Sequence, residues 1–275
     1  MRKMWATVAP FCQRRSSDLA PRAEPGQEDG MLTEAEIKQF GDDGFLILPE
    51  LIRDEKLERY LSLLHDLVAR AHVTEIGAPH WSFERGPDNQ PIPGFLHKVQ
   101  GVAVVEPKIL DIAREPEIVE RAASLLGRNL DVFGTKFFPK LPGGGTSVRW
   151  HQDNYYFGTT TEQILSCGIY YEDTDPGNGC LRVAPGSHRS RDIAEHRPIV
   201  GGFGMETDVA DEDAIDVCVP AGTVVFFSAN LLHGTHDNTG DRSRFSTAWH
   251  YVPGDLALDR FPRDSGKDRH AILRP

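Results

Sequence analysis

The chain has little with which to build a covalent framework. Only four cysteines occur in 275 residues, Cys12, Cys167, Cys180 and Cys218, and no two are spaced C-x-x-C. That excludes zinc-ribbon and thioredoxin-type sites, and a disulfide scaffold is not expected at this size. A reduced, cytoplasmic setting fits best. No apolar run approaches the roughly 18 residues needed to cross a bilayer. Positive charge is short as well: 30 Lys and Arg against 41 Asp and Glu leave a formal charge of −11. Nonspecific nucleic-acid binding relies on Lys and Arg neutralising phosphates, so nucleic acid and anionic membrane surfaces are poor partners. No G-x-S-x-G or comparable nucleophile motif is present.

What is there divides into three textures. Residues 1–30, with Arg14, Arg15, Ser16 and Ser17 followed by Pro21, Pro25 and Gly26, lack periodicity and read as a flexible leader. Residues 31–275 then read as one domain, helices first and strands after. Thr33 with Glu36 forms a capping box for a short helix to about Asp42, and Phe45–Leu48 reads as a buried strand. Leu57, Leu61, Leu64 and Val68 fall at helical spacing in a second helix over 54–71. The Pro- and Gly-rich stretch 74–95 reads as a long loop, and Ile109–Leu126 as a third helix closed by Gly127. From residue 130 short strands alternate with turns: Asp131–Pro139, Ser147–His151, Ile164–Glu172, Leu181–Val183, Ala214–Val219, Thr223–Ser228 and Arg244–Val252. This is an α+β arrangement, a β-barrel or sandwich buttressed by N-terminal helices.

The string Arg149-Trp150-His151-Gln152-Asp153 carries the first chemical signal. On a strand, His151 and Asp153 would point to one face and Trp150 and Gln152 to the other. An imidazole beside a carboxylate needs one more ligand from a distant strand to form a 2-His-1-carboxylate face, which leaves open positions on a metal. An H-x-D string alone occurs often by chance. His233, after Leu231 and Leu232 and before Gly234, sits where an apolar strand opens into a turn, whereas His236 lies among polar residues. Downstream, Arg244 shares a strand face with Ser246 and Ala248, and a guanidinium forks onto a carboxylate. Arg242 has the same parity and stands as an alternative.

These stretches, together with Asp43-Gly44-Phe45-Leu46-Ile47-Leu48-Pro49, His97-Lys98-Val99-Gln100 and Asn178 through His188, resemble the phytanoyl-CoA dioxygenase family in family order. The resemblance runs from about residue 32 to 252. It implies a double-stranded β-helix, or jelly-roll, and an iron(II)/2-oxoglutarate-dependent dioxygenase that consumes O₂ and releases succinate and CO₂. It implies iron ligands at His151, Asp153 and His233, and a 2-oxoglutarate site at Arg244, Thr235 and Lys98. The family's eleven-residue spacing between distal His and Arg selects His233 with Arg244 over His236 and Arg242. The Pro185-Gly186-Ser187-His188 signature reads as a structural turn. Related halogenases lack the carboxylate ligand, so Asp153 favours hydroxylation of a small molecule. Two rivals on the same barrel are a non-oxidative lyase or isomerase and a silent binding protein. Candidate pocket walls are Trp81, Phe83, Phe95, Asn154, Tyr155 and Tyr156, and Arg182, Arg189, Arg191 and Arg197 form a basic cluster.

Overall fold

The computed structural model describes residues 30–275 apart from 191 and 201. Residues 1–29 of the leader, Cys12 among them, and Arg191 lie outside the described residues. Helix α1 (Glu34–Asp43) is held at its start by the capping box of Thr33 and Glu36, and ends on Gly44 at φ 82. Strand β1 (Phe45–Leu48) and helix α2 (Asp54–Ala71) follow. Next come β2 (Trp81–Arg85), β3 (Pro91–Gln100), the short helices α3 (Val102–Val105) and α4 (Ile109–Ala113), and α5 (Pro116–Leu126). The rest runs β4 (Leu130–Phe138), α6 (Asp153–Phe157), β5 (Leu165–Tyr170), β6 (Leu181–Val183), β7 (Arg197–Pro198) and β8 (Met205–Glu206). It closes with β9 (Ile215–Val217), β10 (Thr223–Ser228), β11 (His233–Thr235), β12 (Ser246–Pro253) and β13 (Arg269–Leu273).

One antiparallel sheet is ordered β1-β10-β5-β12-β4-β3-β2, with β13 added beside β4; a second is β11-β6-β9. Period-two alternation decides what each strand buries. In β1 and β10, Leu46, Leu48, Val224 and Phe226 face outward onto a core that includes Leu64 and Leu67 of α2 and Ile118 and Ala122 of α5. Their neighbours Phe45, Ile47, Val225 and Phe227 face inward onto Leu181, Val183 and Val217 of the small sheet. Each such side chain contributes roughly 1.5–3 kcal/mol by leaving water. The helices therefore cover one side of the large sheet, the small sheet covers the other, and the jelly-roll interior lies between. No helix among the described residues is long and apolar enough to cross a membrane.

Three expectations need correction. Residues 74–95 are not one loop, because β2 and the first part of β3 form a hairpin within them. Pro91 and Pro93 stand in β3 before it begins to pair with β4 at Val99, where β3 is paired on one side only, with β2. The third helix is two helices: Glu115, before Pro116, leaves helical geometry at φ −55, ψ 125, and Pro116 opens α5 at its first position. Ser147–His151 is no strand; only His151 pairs, through an isolated bridge to His233.

Strand β4 contains the irregularity that matters most. Ala248 pairs with Lys136 but His250 pairs with Phe133, so β4 carries one extra residue there, with Gly134 at φ 62. The bulge reverses the strand's parity. Phe133 packs inward against Phe157 and His250, yet beyond the bulge Lys136 and Phe138 face the interior, while Phe137 packs outward. A side chain at 134 would be strained by the positive φ and would meet His250 at 3.1 Å. The N–H groups freed by the bulge are taken by Asp268: Gly134 donates to its carbonyl at 3.0 Å and Thr135 to its carboxylate at 2.5 Å. Arg269 and Arg274 of the same segment pair with Asp131.

Candidate metal centre

His151 and His233 exchange both backbone hydrogen bonds, at 2.9 and 3.0 Å, which places their imidazoles side by side. Asp153 reaches them from a different local structure than alternation suggests, as the first residue of α6. Its flanks anchor it. Gln152 Nε2 donates to the Asn230 carbonyl at 2.8 Å, and Asn154 Nδ2 donates to Asn230 Oδ1 at 2.7 Å. All three side chains are buried, and their ligand atoms lie within 4.8 Å of one another.

The hydrogen bonds fix the tautomers. His151 Nδ1 contacts the Arg149 carbonyl at 2.8 Å and His233 Nδ1 the Leu231 carbonyl at 3.0 Å. A carbonyl only accepts, so both Nδ1 atoms carry hydrogen and both Nε2 atoms present lone pairs. Those lone pairs face the Asp153 carboxylate oxygens at 3.6 and 3.7 Å. Three acceptors converge with no hydrogen to share. Burial, then His151, pushes the His233 pKa down to about 4, so protonation does not relieve this at neutral pH. Burial would raise the Asp153 pKa, but His250, His233, His151 and Lys136 outweigh it and hold the group ionised. A divalent cation bridging the three groups is the natural solution, and two imidazoles with one carboxylate suit iron(II).

A second line supports Asp153. Its Oδ2 accepts from the Ser166 hydroxyl at 2.7 Å, and Ser166 Oγ lies 2.9 Å from His250 Nδ1. Having given its only hydrogen to Asp153, Ser166 accepts from His250. His250 Nε2 then accepts from Lys136 Nζ at 2.9 Å. Burial, then Lys136, holds the His250 pKa well below its usual value, consistent with a neutral relay ring. Ser166 and His250 face inward on β5 and β12, but in the sequence they stand among ordinary strand residues and carry no motif.

The triad opens onto a cavity of about 260 Å³. Arg244 lines it, lying just before β12 rather than in it. The residue is 2% exposed; its guanidinium donates through Nη1 to Ser246 Oγ, while Nε has no partner among the described residues. Arg242 instead pairs with Asp175 at the surface. Thr235 also lines the cavity; its Oγ1 accepts from the Val148 N–H at 2.8 Å, which leaves its own hydrogen to donate. Lys98, on β3, opens into the same space, and burial with the nearby Lys136 pushes its pKa down to about 8. Of the aromatics and amide expected at the wall, Tyr156 alone lines the cavity. Phe83 is core, Trp81 packs on the core, and Tyr155 stacks on His196. Phe138, Phe157, Phe203 and Phe261 take their place.

The basic cluster dissolves into local pairs: Arg182 with Asp216, Arg197 with Glu206 and Asp208, and Arg189 with the Asp42 carbonyl. His188, as expected, plays a structural part, contacting the Gly41 carbonyl at the end of α1. A second cluster, Cys180, Asp216 and His236, also has metal-like spacing.

Comparison with known proteins places the chain in a family. The sequence pattern of the phytanoyl-CoA dioxygenase family matches residues 40–246. The chain belongs to that family. It is 24% identical to an ectoine dioxygenase of Bordetella parapertussis, over 83% of this chain and 80% of the relative. It is 25% identical to a probable alpha-ketoglutarate-dependent hypophosphite dioxygenase of Stutzerimonas stutzeri, over 82% and 79%. Its fold resembles that of EctD from S. alaskensis, solved with 2-oxoglutarate and 5-hydroxyectoine, at a TM-score of 0.68 and 20% identity over 93% of each chain. The family member described here is thus a jelly-roll enzyme of the 2-oxoglutarate-dependent dioxygenase class, with iron, 2-oxoglutarate and O₂ as the reactants its donor set suits.

Proposed function

We propose that this enzyme hydroxylates an unactivated C–H bond of a small molecule, with residues 31–275 acting as one oxygenase domain. His151, Asp153 and His233 would hold iron(II), and Arg244, Thr235 and Lys98 would hold 2-oxoglutarate. When bound, the metal and co-substrate supply the oxidising chemistry, with release of succinate and CO₂. The rest falls to the chain's own groups. The His151–His233 backbone pair orients two nitrogens toward one point, and the Lys136–His250–Ser166 relay keeps Asp153 aimed and ionised. Phe157 and Phe203 make part of the wall apolar, which limits water near the reacting bond.

The single observation that carries the reading is Arg244. A buried guanidinium without a carboxylate partner among the described residues, in the same cavity as an acceptor-only triad, asks for an anionic co-substrate. A non-oxidative lyase or isomerase has no use for such a clamp, and a silent binding protein has no use for the unrelieved triad. The deciding experiment supplies ¹⁸O₂ to the iron-loaded enzyme with 2-oxoglutarate and a small-molecule panel. Substrate-dependent succinate, one ¹⁸O in the product and no incorporation of added chloride are expected. Turnover without 2-oxoglutarate, or a chlorinated product, would end the hydroxylase assignment.

A further inference from the structure

The cavity holds more positive charge than the proposed chemistry uses. Its charged lining consists of Lys98, Lys136, Arg244 and one carboxylate, Asp153. Iron(II) and the 2-oxoglutarate dianion cancel one another, so the filled site would still carry two positive charges in excess. In an enclosed, poorly solvated space such a surplus is far more unfavourable than in water. Arg244 and Lys98 are spoken for by the co-substrate. Lys136 is not.

Lys136 is also placed there deliberately. Without the extra residue in β4, Thr135 and Phe137 would face the interior and Lys136 would point away. One of its three ammonium hydrogens goes to His250 Nε2, and the other two have no acceptor among the described residues. The Phe157 ring lies 6.0 Å from Nζ. Burial lowers the pKa of Lys136 itself, and Lys136 adds to the lowering at Lys98. A bound anion would reverse both. Beside this cation, Phe138, Phe157, Phe203 and Phe261 present an apolar wall.

We propose that the substrate is a small organic anion, its carboxylate or phosphonate held by Lys136 and its apolar body lying along these phenylalanines. The proposal rests on the hydroxylase reading of the same cavity. The test uses anaerobic enzyme loaded with iron(II) and 2-oxoglutarate, so that binding is read without turnover. Phenylacetate with phenylacetamide, 3-phenylpropionate with its amide, and phenylphosphonate with its diethyl ester are titrated by calorimetry. At least one anion should bind tenfold or more tightly than its neutral partner. Lys136→Met should erase that preference, and Lys136→Arg should keep it. Lys136→Gln, checked by circular dichroism, serves if the Met variant does not fold. Equal binding of neutral and anionic partners, no binding of any anion, or an anion preference intact in Lys136→Met would overturn the proposal. Iron content and 2-oxoglutarate affinity are measured on the same samples. Their absence in the unmutated enzyme would count against the hydroxylase reading, and their presence with a failed anion preference would count against Lys136 alone.

Discussion

Two clusters among the described residues have the spacing of a metal site, and they differ in what their atoms already have. Around Asp153, both imidazoles spend their hydrogens on backbone carbonyls and turn lone pairs toward a carboxylate at 3.6 and 3.7 Å. Around Asp216, His236 Nε2 donates to the carboxylate at 2.8 Å, and Arg182 lies 3.3 Å from the same oxygen. The first cluster is electrically incomplete; the second has balanced itself. Proximity of donor types therefore says less than the direction of their hydrogens. A metal is called for where acceptors face acceptors.

The sharpest way to break the comparison is to mutate both clusters in parallel. His151→Ala, Asp153→Ala and His233→Ala should each abolish stoichiometric iron binding, measured on anaerobically loaded protein, while His236→Ala and Asp216→Asn should retain it. Iron lost equally from both sets would mean that the balanced cluster matters to the metal after all. In the proposed co-substrate site, Arg244→Ala would remove a charge-assisted contact on the order of 1.5–3 kcal/mol, so 2-oxoglutarate affinity should fall by an order of magnitude or more. Arg242→Ala, whose guanidinium pairs with Asp175 at the surface, should leave it nearly unchanged in the same calorimetric titration.

A smaller effect should follow from the support behind Asp153. Ser166→Ala removes the hydroxyl that donates to Oδ2 and should weaken iron affinity about tenfold without emptying the site. Competition with a chelator measures it; an unchanged affinity would show that the relay does not tune the metal. The smallest effect concerns pH. Lys98 has its pKa lowered to about 8, so below that value it is charged and, in the proposed site, would attract the co-substrate. As pH rises through 8 it becomes neutral, and 2-oxoglutarate affinity should decline by a few-fold, on the scale of one weakened charge contact. Lys98→Met should flatten that dependence.

Legibility in the sequence followed the locality of the cause. The convergence of His151, Asp153 and His233 was readable because the H-x-D string is a short-range pattern and the family resemblance supplied the distal His–Arg spacing, and strands β6 and β10 were readable because alternation and turn residues bound them tightly. The capping box of α1 was visible for the same reason. What failed depended on partners far away in the chain. Pro91 and Pro93 are tolerable in a strand because β4 begins to bond to β3 only at Val99. Asp153 converges with His151 from a helix start, not from strand alternation. Lys136, Ser166 and His250 come together only after a parity reversal in β4 and the pairing of β4, β12 and β5. No window of the sequence contains that reversal.

The bulge at Gly134 is secured from outside the barrel. Asp268, which is not among the cavity-lining residues, receives the N–H groups of Gly134 and Thr135, while Arg269 and Arg274 tie the same segment to Asp131. The edge segment 268–274 thus works like a template behind a printed page: it never meets the ink, yet it sets which characters of β4 face the reader. Variation in that outlying segment is a route by which such an enzyme could exchange Lys136 on its wall for Thr135 and Phe137 while His151, Asp153 and His233 stay the same.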